Sequence, residues 1–134
     1  MSHKQNSPDS GNTNNVINIE SISAITLAVK SMCESFRFYS LLGFKPLYGD
    51  AKSHFCSFSA GSNYLNLIVQ SDLKIQSFWG RIVFYVNDVD NMYYKIVRRN
   101  LLPESPPSNA HWNERYFHII DPDGHELSFA KTLD

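Results

Sequence analysis

Cysteine is nearly absent: Cys33 and Cys56 are the only two in 134 residues. That is too few, and too widely spaced, for a disulfide framework or a paired-cysteine metal site. The expectation is two reduced, buried thiols in a cytoplasmic protein. Excess charge is missing as well. Twelve Lys and Arg stand against thirteen Asp and Glu, for a formal net charge of -1, so nothing electrostatic favours nucleic acid or an anionic membrane as partner. No apolar run is long enough to span a bilayer. Also lacking are a nucleophile elbow, a phosphate-binding glycine loop, an HExxH motif and a zinc ribbon, which removes the hydrolase, nucleotide-binding and zinc-protease classes that those motifs carry. Residues 1–17 are polar and rich in Ser and Asn, without an apolar signal core or the arginines of a transit peptide, and are expected to form a disordered tail.

What is present is patterned. Ser21 to Val29 alternates with period two and reads as a strand. Ser31 opens a capping box with Glu34, Phe36, Tyr39 and Leu42 follow at helical spacing, and Gly43 suits the end of that helix. Lys45 to Tyr48, His54 to Ser59 and Tyr64 to Gln70 read as three further strands, the last two joined by an Ala-Gly-Ser-Asn turn.

After a linker, Gly80 to Val86 alternates again. Asp88 caps a second helix with Val89, Met92, Tyr93, Ile96 and Val97 as its apolar stripe, and Leu101 to Pro103 resumes an extended chain. Glu104 to Ala110 is expected to be a Pro- and Ser-rich loop. The two halves keep one register: Ile25 and Ile82, Val29 and Val86, Ser31 and Asp88, and Pro46 and Pro103 are all 57 positions apart. The offset becomes 62 between Leu65 and Leu127, because the second half has the longer loop. Two copies of one βαβββ unit account for this, each too small to build a core alone.

The second copy closes on His111 to Ala130, in which two alternating runs flank Asp121-Pro122-Asp123-Gly124. Proline presets φ at one corner and glycine tolerates positive φ at the next, so this is a β-hairpin. Its spacing of Trp112, Phe117, Asp121-Pro122, Gly124 and Phe129 resembles the closing hairpin of the glyoxalase, bleomycin resistance and extradiol dioxygenase superfamily, the vicinal-oxygen-chelate fold. The resemblance spans roughly residues 19–133. It implies an α+β domain of two paired βαβββ modules forming a curved, incompletely closed mixed β-sheet around a concave ligand groove. Residues 18–133 would be a single domain, with module one at about 18–70, a linker at 71–78 and module two at about 79–133.

The metal enzymes of that superfamily place ligands at four groove-facing strand positions, which fall on Ala24, Asn66, Arg81 and Ser128. Alanine and arginine cannot coordinate zinc, nickel or iron. No metal is expected at that site and no cofactor is expected; any divalent metal would sit elsewhere, beside His118 and Glu126. The hairpin is closest to that of the metal-free bleomycin resistance proteins, although Asn113 stands where glycine is usual and His125 where asparagine is usual. The leading expectation is therefore a metal-independent small-molecule-binding protein, with homodimers common in the family.

Strand parity, with Leu27, Leu65, Ile82, Leu127 and their row turned toward the helices, gives the groove Thr26, Asn66, Arg81, Tyr85, Tyr116 and Ser128 as ligand-binding residues, with Trp112 at its mouth. Arg81 either anchors an anionic group or pairs with Glu126. Tyr85 and Tyr116 either stack on a planar ligand or line the sheet, and Trp112 either walls the groove or plugs an open end. The competing reading is a glyoxalase-like lyase or isomerase using His118 and Glu126 as an acid-base pair. His54, His111 and His125 lie near loops and are expected to be solvated.

Overall fold

The computed structural model describes residues 16–75 and 77–134. The expected disorder of the tail lies outside them, apart from Val16 and Ile17, which are exposed coil. The elements run β1 (Ala24–Val29), α1 (Met32–Leu42), β2 (Lys45–Tyr48), β3 (Phe55–Ala60), β4 (Asn63–Val69), β5 (Arg81–Tyr85), α2 (Val89–Arg98), β6 (Ser108–Ala110), β7 (Glu114–Ile120) and β8 (Glu126–Thr132). They form two four-stranded mixed sheets, ordered β1-β4-β3-β2 and β5-β8-β7-β6, each with one parallel pair at one edge. This is the expected α+β pair of βαβββ modules, without a closed barrel.

Both helices start where their caps dictate. The Ser31 hydroxyl accepts from the Glu34 amide at 3.3 Å, and Asp88 Oδ1 accepts from the Asn91 amide at 3.0 Å. Each cap satisfies one of the amides a helix start leaves without a partner. Gly43 ends α1 in the left-handed region at φ 111, where its amide turns back to the Ser40 and Tyr39 carbonyls. A residue with a Cβ would be strained there.

The register confirms the duplication. Ile25 lies beside Leu65 and Ile82 beside Leu127, in matching parallel pairs. Leu27, Phe58, Leu65, Leu67, Ile82, Phe117, Ile119, Leu127 and Phe129 are buried with Tyr39 and Ile96 of the helices. Each large side chain removed from water in this way contributes about 1.5–3 kcal/mol. Phe44, just past α1, carries the core across the modules, its ring 5.0 Å from Phe84 and 6.3 Å from Phe129.

Three expectations need correction. Of the two thiols expected to be buried, Cys56 is, but Cys33 is exposed, because it lies on the outward side of α1 next to the buried Met32. The second copy's outer strand is Ser108–Ala110, inside the segment read as loop, while Leu101 to Pro103 is not strand. Ser-Asn-Ala has no apolar alternation; it becomes a strand because β7 offers it a pairing edge. His125 is not solvated but 5% exposed. Its ring bridges the modules, with Nε2 2.7 Å from the Ala28 carbonyl and Nδ1 accepting from Trp79 Nε1 at 2.9 Å. The neighbouring Asp121 carboxylate accepts from the Tyr39 hydroxyl at 2.7 Å and from the amides of Asp123 and His125 at 2.9 Å. Asp123 continues the seam to the Lys30 amide and the Ser35 hydroxyl. The turn motif thus closes the expected β7–β8 hairpin and is also the joint between modules.

Candidate functional site

Phe117 and Ile119 are fully buried toward α2, so the alternate residues of β7 turn to the opposite face of the second sheet. Register builds that face in rows. Arg81, Glu126 and Ile120 form one, Val83, Ser128 and His118 the next, and Tyr85, Ala130 and Tyr116 the third. Glu114, further along β7, completes it beside Thr132.

Glu114 is the hub of the aromatic end. The hydroxyl of Tyr85 and the indole Nε1 of Trp112 both donate to its carboxylate, the latter at 3.1 Å. The Tyr85 hydroxyl is held protonated by that bond, its pKa shifted upward. Trp112 stacks on Tyr116 with centroids 6.0 Å apart and planes 25° apart, and Tyr116 lies 4.9 Å from the His118 ring. Trp112 therefore lies beside Tyr116 at this end of the face. Glu114 was not among the sequence candidates, although its period-two spacing from Tyr116 and His118 already placed it on their side of the strand.

At the other end, Arg81 Nη2 donates to Glu126 Oε1 at 2.8 Å, with its guanidinium 5.4 Å from the centre of the Phe78 ring. Both partners keep solvent access, at 36% and 23% exposed. The internal pair is thus formed, and it occupies Glu126 Oε1. His118 sits diagonally from Glu126, on the row between Arg81 and Tyr85. Burial, and then the Arg81 charge, push its pKa down, so its imidazole is neutral at physiological pH. Its Nδ1 is enclosed and has no hydrogen-bond partner among the described residues.

Ser128 is buried, its hydroxyl donating to the Phe117 carbonyl at 3.4 Å. Thr26 and Asn66 lie on the first sheet and bond each other, Asn66 Nδ2 to Thr26 Oγ1 at 3.2 Å. Among the described residues no hydrogen bond or ion pair joins them to the second-sheet group. The structure thus gathers His118, Glu126, Arg81, Tyr85, Tyr116, Trp112 and Ser128 on one face and sets Thr26 and Asn66 apart.

The superfamily's four metal positions do not suit a metal here. Ala24 has no side-chain donor atom, Arg81 is a cation committed to Glu126, and Asn66 and Ser128 offer only neutral oxygens, that of Ser128 buried and bonded to the Phe117 carbonyl. Nor is there, among the described residues, a group of three or more His, Cys, Asp or Glu side chains that could hold an ion.

Residues 21–129 match the Glyoxalase/Bleomycin resistance protein/Dioxygenase superfamily. The chain belongs to that superfamily. Among solved structures it resembles a glyoxalase/bleomycin resistance protein/dioxygenase from Nocardioides, with 19% identity over 89% of this chain and 87% of that one and a TM-score of 0.71. A putative glyoxalase family protein from Bacillus anthracis has 19% identity over 87% of this chain and 98% of that one, with a TM-score of 0.73. The lactoylglutathione lyase from Agrobacterium tumefaciens shows 16% identity over 84% of this chain and 93% of its own, with a TM-score of 0.67. At such identities the likeness concerns the fold. Among curated proteins none matches the sequence. Among the described residues, no helix is long and apolar enough to cross a membrane.

Proposed function

We propose that this superfamily member is a metal-independent small-molecule-binding protein whose ligand is planar and lies against the open face of the second sheet. One observation carries the reading: Tyr85, Trp112 and Tyr116 are gathered around Glu114 on a face whose superfamily metal positions hold no suitable donors. Flat rings held in fixed orientation offer stacking area at little entropic cost, and a carboxylate beside them favours a ligand that donates hydrogen bonds or carries positive charge there. Arg81 at the opposite end supplies a cation for an anionic substituent, at the cost of sharing it with Glu126.

Val83, Tyr85 and Trp112 are each more than half exposed, a large apolar share for a free surface. This supports a homodimer in which a second copy covers part of the face, to be checked by analytical ultracentrifugation. The free thiols of Cys33 and Cys56 support a reducing compartment, the cytoplasm.

The test of binding is titration with planar aromatic compounds carrying donor or cationic groups, read by tryptophan fluorescence in the wild type and in Trp112→Ala. Saturable quenching that is lost in the variant is expected. Equal quenching in both, or none in either, overturns the assignment.

A second reading has one observation in its favour, a neutral, half-buried His118 on the same face as Tyr116. With Nδ1 enclosed, the other ring nitrogen would be the base offered to a substrate, which fits a glyoxalase-like lyase or isomerase. Turnover of any candidate substrate that survives His118→Ala would exclude it.

A further inference from the structure

The pseudo-symmetry of the two modules exposes a second site. With offsets of 57 for the helices and 62 for β4 and β8, Tyr39 corresponds to Ile96, Ser35 to Met92 and Leu65 to Leu127. Following the hairpin ladders outward from that last pair, Asp121 corresponds to Ala60 and His125 to Asn63. One junction is therefore filled by the chain itself: Tyr39 bonds Asp121, Asp123 reaches Ser35 and Lys30, and His125 caps Ala28. At the other, the hydroxyl, the carboxylate and the imidazole are replaced by Ile96, Ala60 and Asn63, and the turn at Gly61-Ser62 is one residue shorter than Pro122-Asp123-Gly124. The same architecture leaves that junction empty.

The space left is a cavity of about 510 Å3, within the range of small-molecule sites. Its apolar wall is Leu42, Phe44, Val86, Met92 and Phe129, and its polar rim is the β3–β4 turn with Ser62 and Asn63. Among the described residues, no Lys, Arg, His, Asp or Glu lines it. A charged ligand would lose its hydration there without a compensating partner, whereas an apolar body with one hydrogen-bonding group matches both wall and rim. The cavity touches the stacking face only along β5, at Val83 and Tyr85, and none of Arg81, Trp112, Tyr116 or His118 borders it.

We propose that this junction cavity is a binding site for a neutral, mainly apolar small molecule with a single hydrogen-bonding group, separate from the stacking face of the second sheet. It is bordered by Ala60, Asn63 and Met92, the counterparts of Asp121, His125 and Ser35 at the other junction.

The test is an amide nuclear magnetic resonance titration of the full chain with 1-naphthol, and with 1-naphthoate as its charged counterpart. Saturable shifts of the Gly43, Gly61 and Ser62 amides with naphthol, absent with naphthoate, are expected. Met92→Trp, which fills the cavity, should abolish them, and Ala60→Phe fills it from the opposite wall should the first variant fail to fold. Naphthoate acting as well as naphthol, shifts confined to β7, or shifts that persist in a folded cavity-filled variant would overturn the site. So would protection of these three amides that disappears on dilution of the free protein, which would assign the cavity to a second copy of the chain.

Discussion

The hydroxyl of Tyr39 in the first module donates to Asp121 Oδ2 in the second at 2.7 Å, and both groups are buried. Burial, with the Asp121 charge, holds the phenol pKa well above 10.0, while burial raises the Asp121 pKa against the pull of its hydrogen bonds. The pair joins modules that no strand ladder connects.

Tyr39→Phe leaves a buried carboxylate oxygen without its partner, at a cost of about 1–3 kcal/mol, measurable by urea unfolding at pH 7. The alkaline limb gives a second check. A tyrosine whose folded pKa is raised lends stability that is complete below its unfolded value and lost as pH climbs toward the folded one. Wild type should therefore lose stability above about pH 10 more steeply than Tyr39→Phe. Parallel alkaline limbs would contradict the assignment.

His125→Ala should cost about 1–3 kcal/mol by leaving the Trp79 indole and the Ala28 carbonyl without their shared partner. Trp79 emission should shift as its indole loses its imidazole partner. A shift without loss of stability would mean that the histidine is not a structural joint.

His118 has a lowered folded pKa, so the sign is reversed: its contribution is present above the unfolded value and is lost as pH falls through the folded one. The ring should titrate below 6.5 by nuclear magnetic resonance. Between pH 7 and pH 5, wild type should lose more melting temperature than His118→Gln. Identical acid limbs would remove His118 from the buried titrating groups.

Arg81 and Glu126 form a partly solvated pair, worth about 0–1 kcal/mol to stability. A double-mutant cycle with Arg81→Met and Glu126→Gln should give a coupling in that range. A larger coupling would mark the pair as structural and withdraw Arg81 from ligand anchoring.

Much of this arrangement is legible in the chain. The constant offset from Ile25 and Ile82 through Ser31 and Asp88 identified the duplication, and strand parity placed Tyr116, His118 and Arg81 on one face because β-strand periodicity is a local property. His125 and β6 were hidden for the opposite reason. The partners of His125 lie 97 and 46 positions away, and Ser-Asn-Ala acquires its conformation only from β7. Glu114 was within reach of parity but overshadowed by its aromatic neighbours. The cavity needed both modules in place, since it lies between Ala60 of one and Met92 of the other.

The seam at Asp121 to His125 also bears on the order of assembly during synthesis. The free carbonyl of Ala28, the hydroxyl of Tyr39 and the amide of Lys30 belong to segments that leave the ribosome early, yet their partners are made roughly ninety residues later. The first module must wait with those groups in water until the closing hairpin emerges. Translation of the second module is thus the step that commits the first to its final packing, and a ribosome stalled before Asp121 would hold a half-built nascent chain with its joint still open.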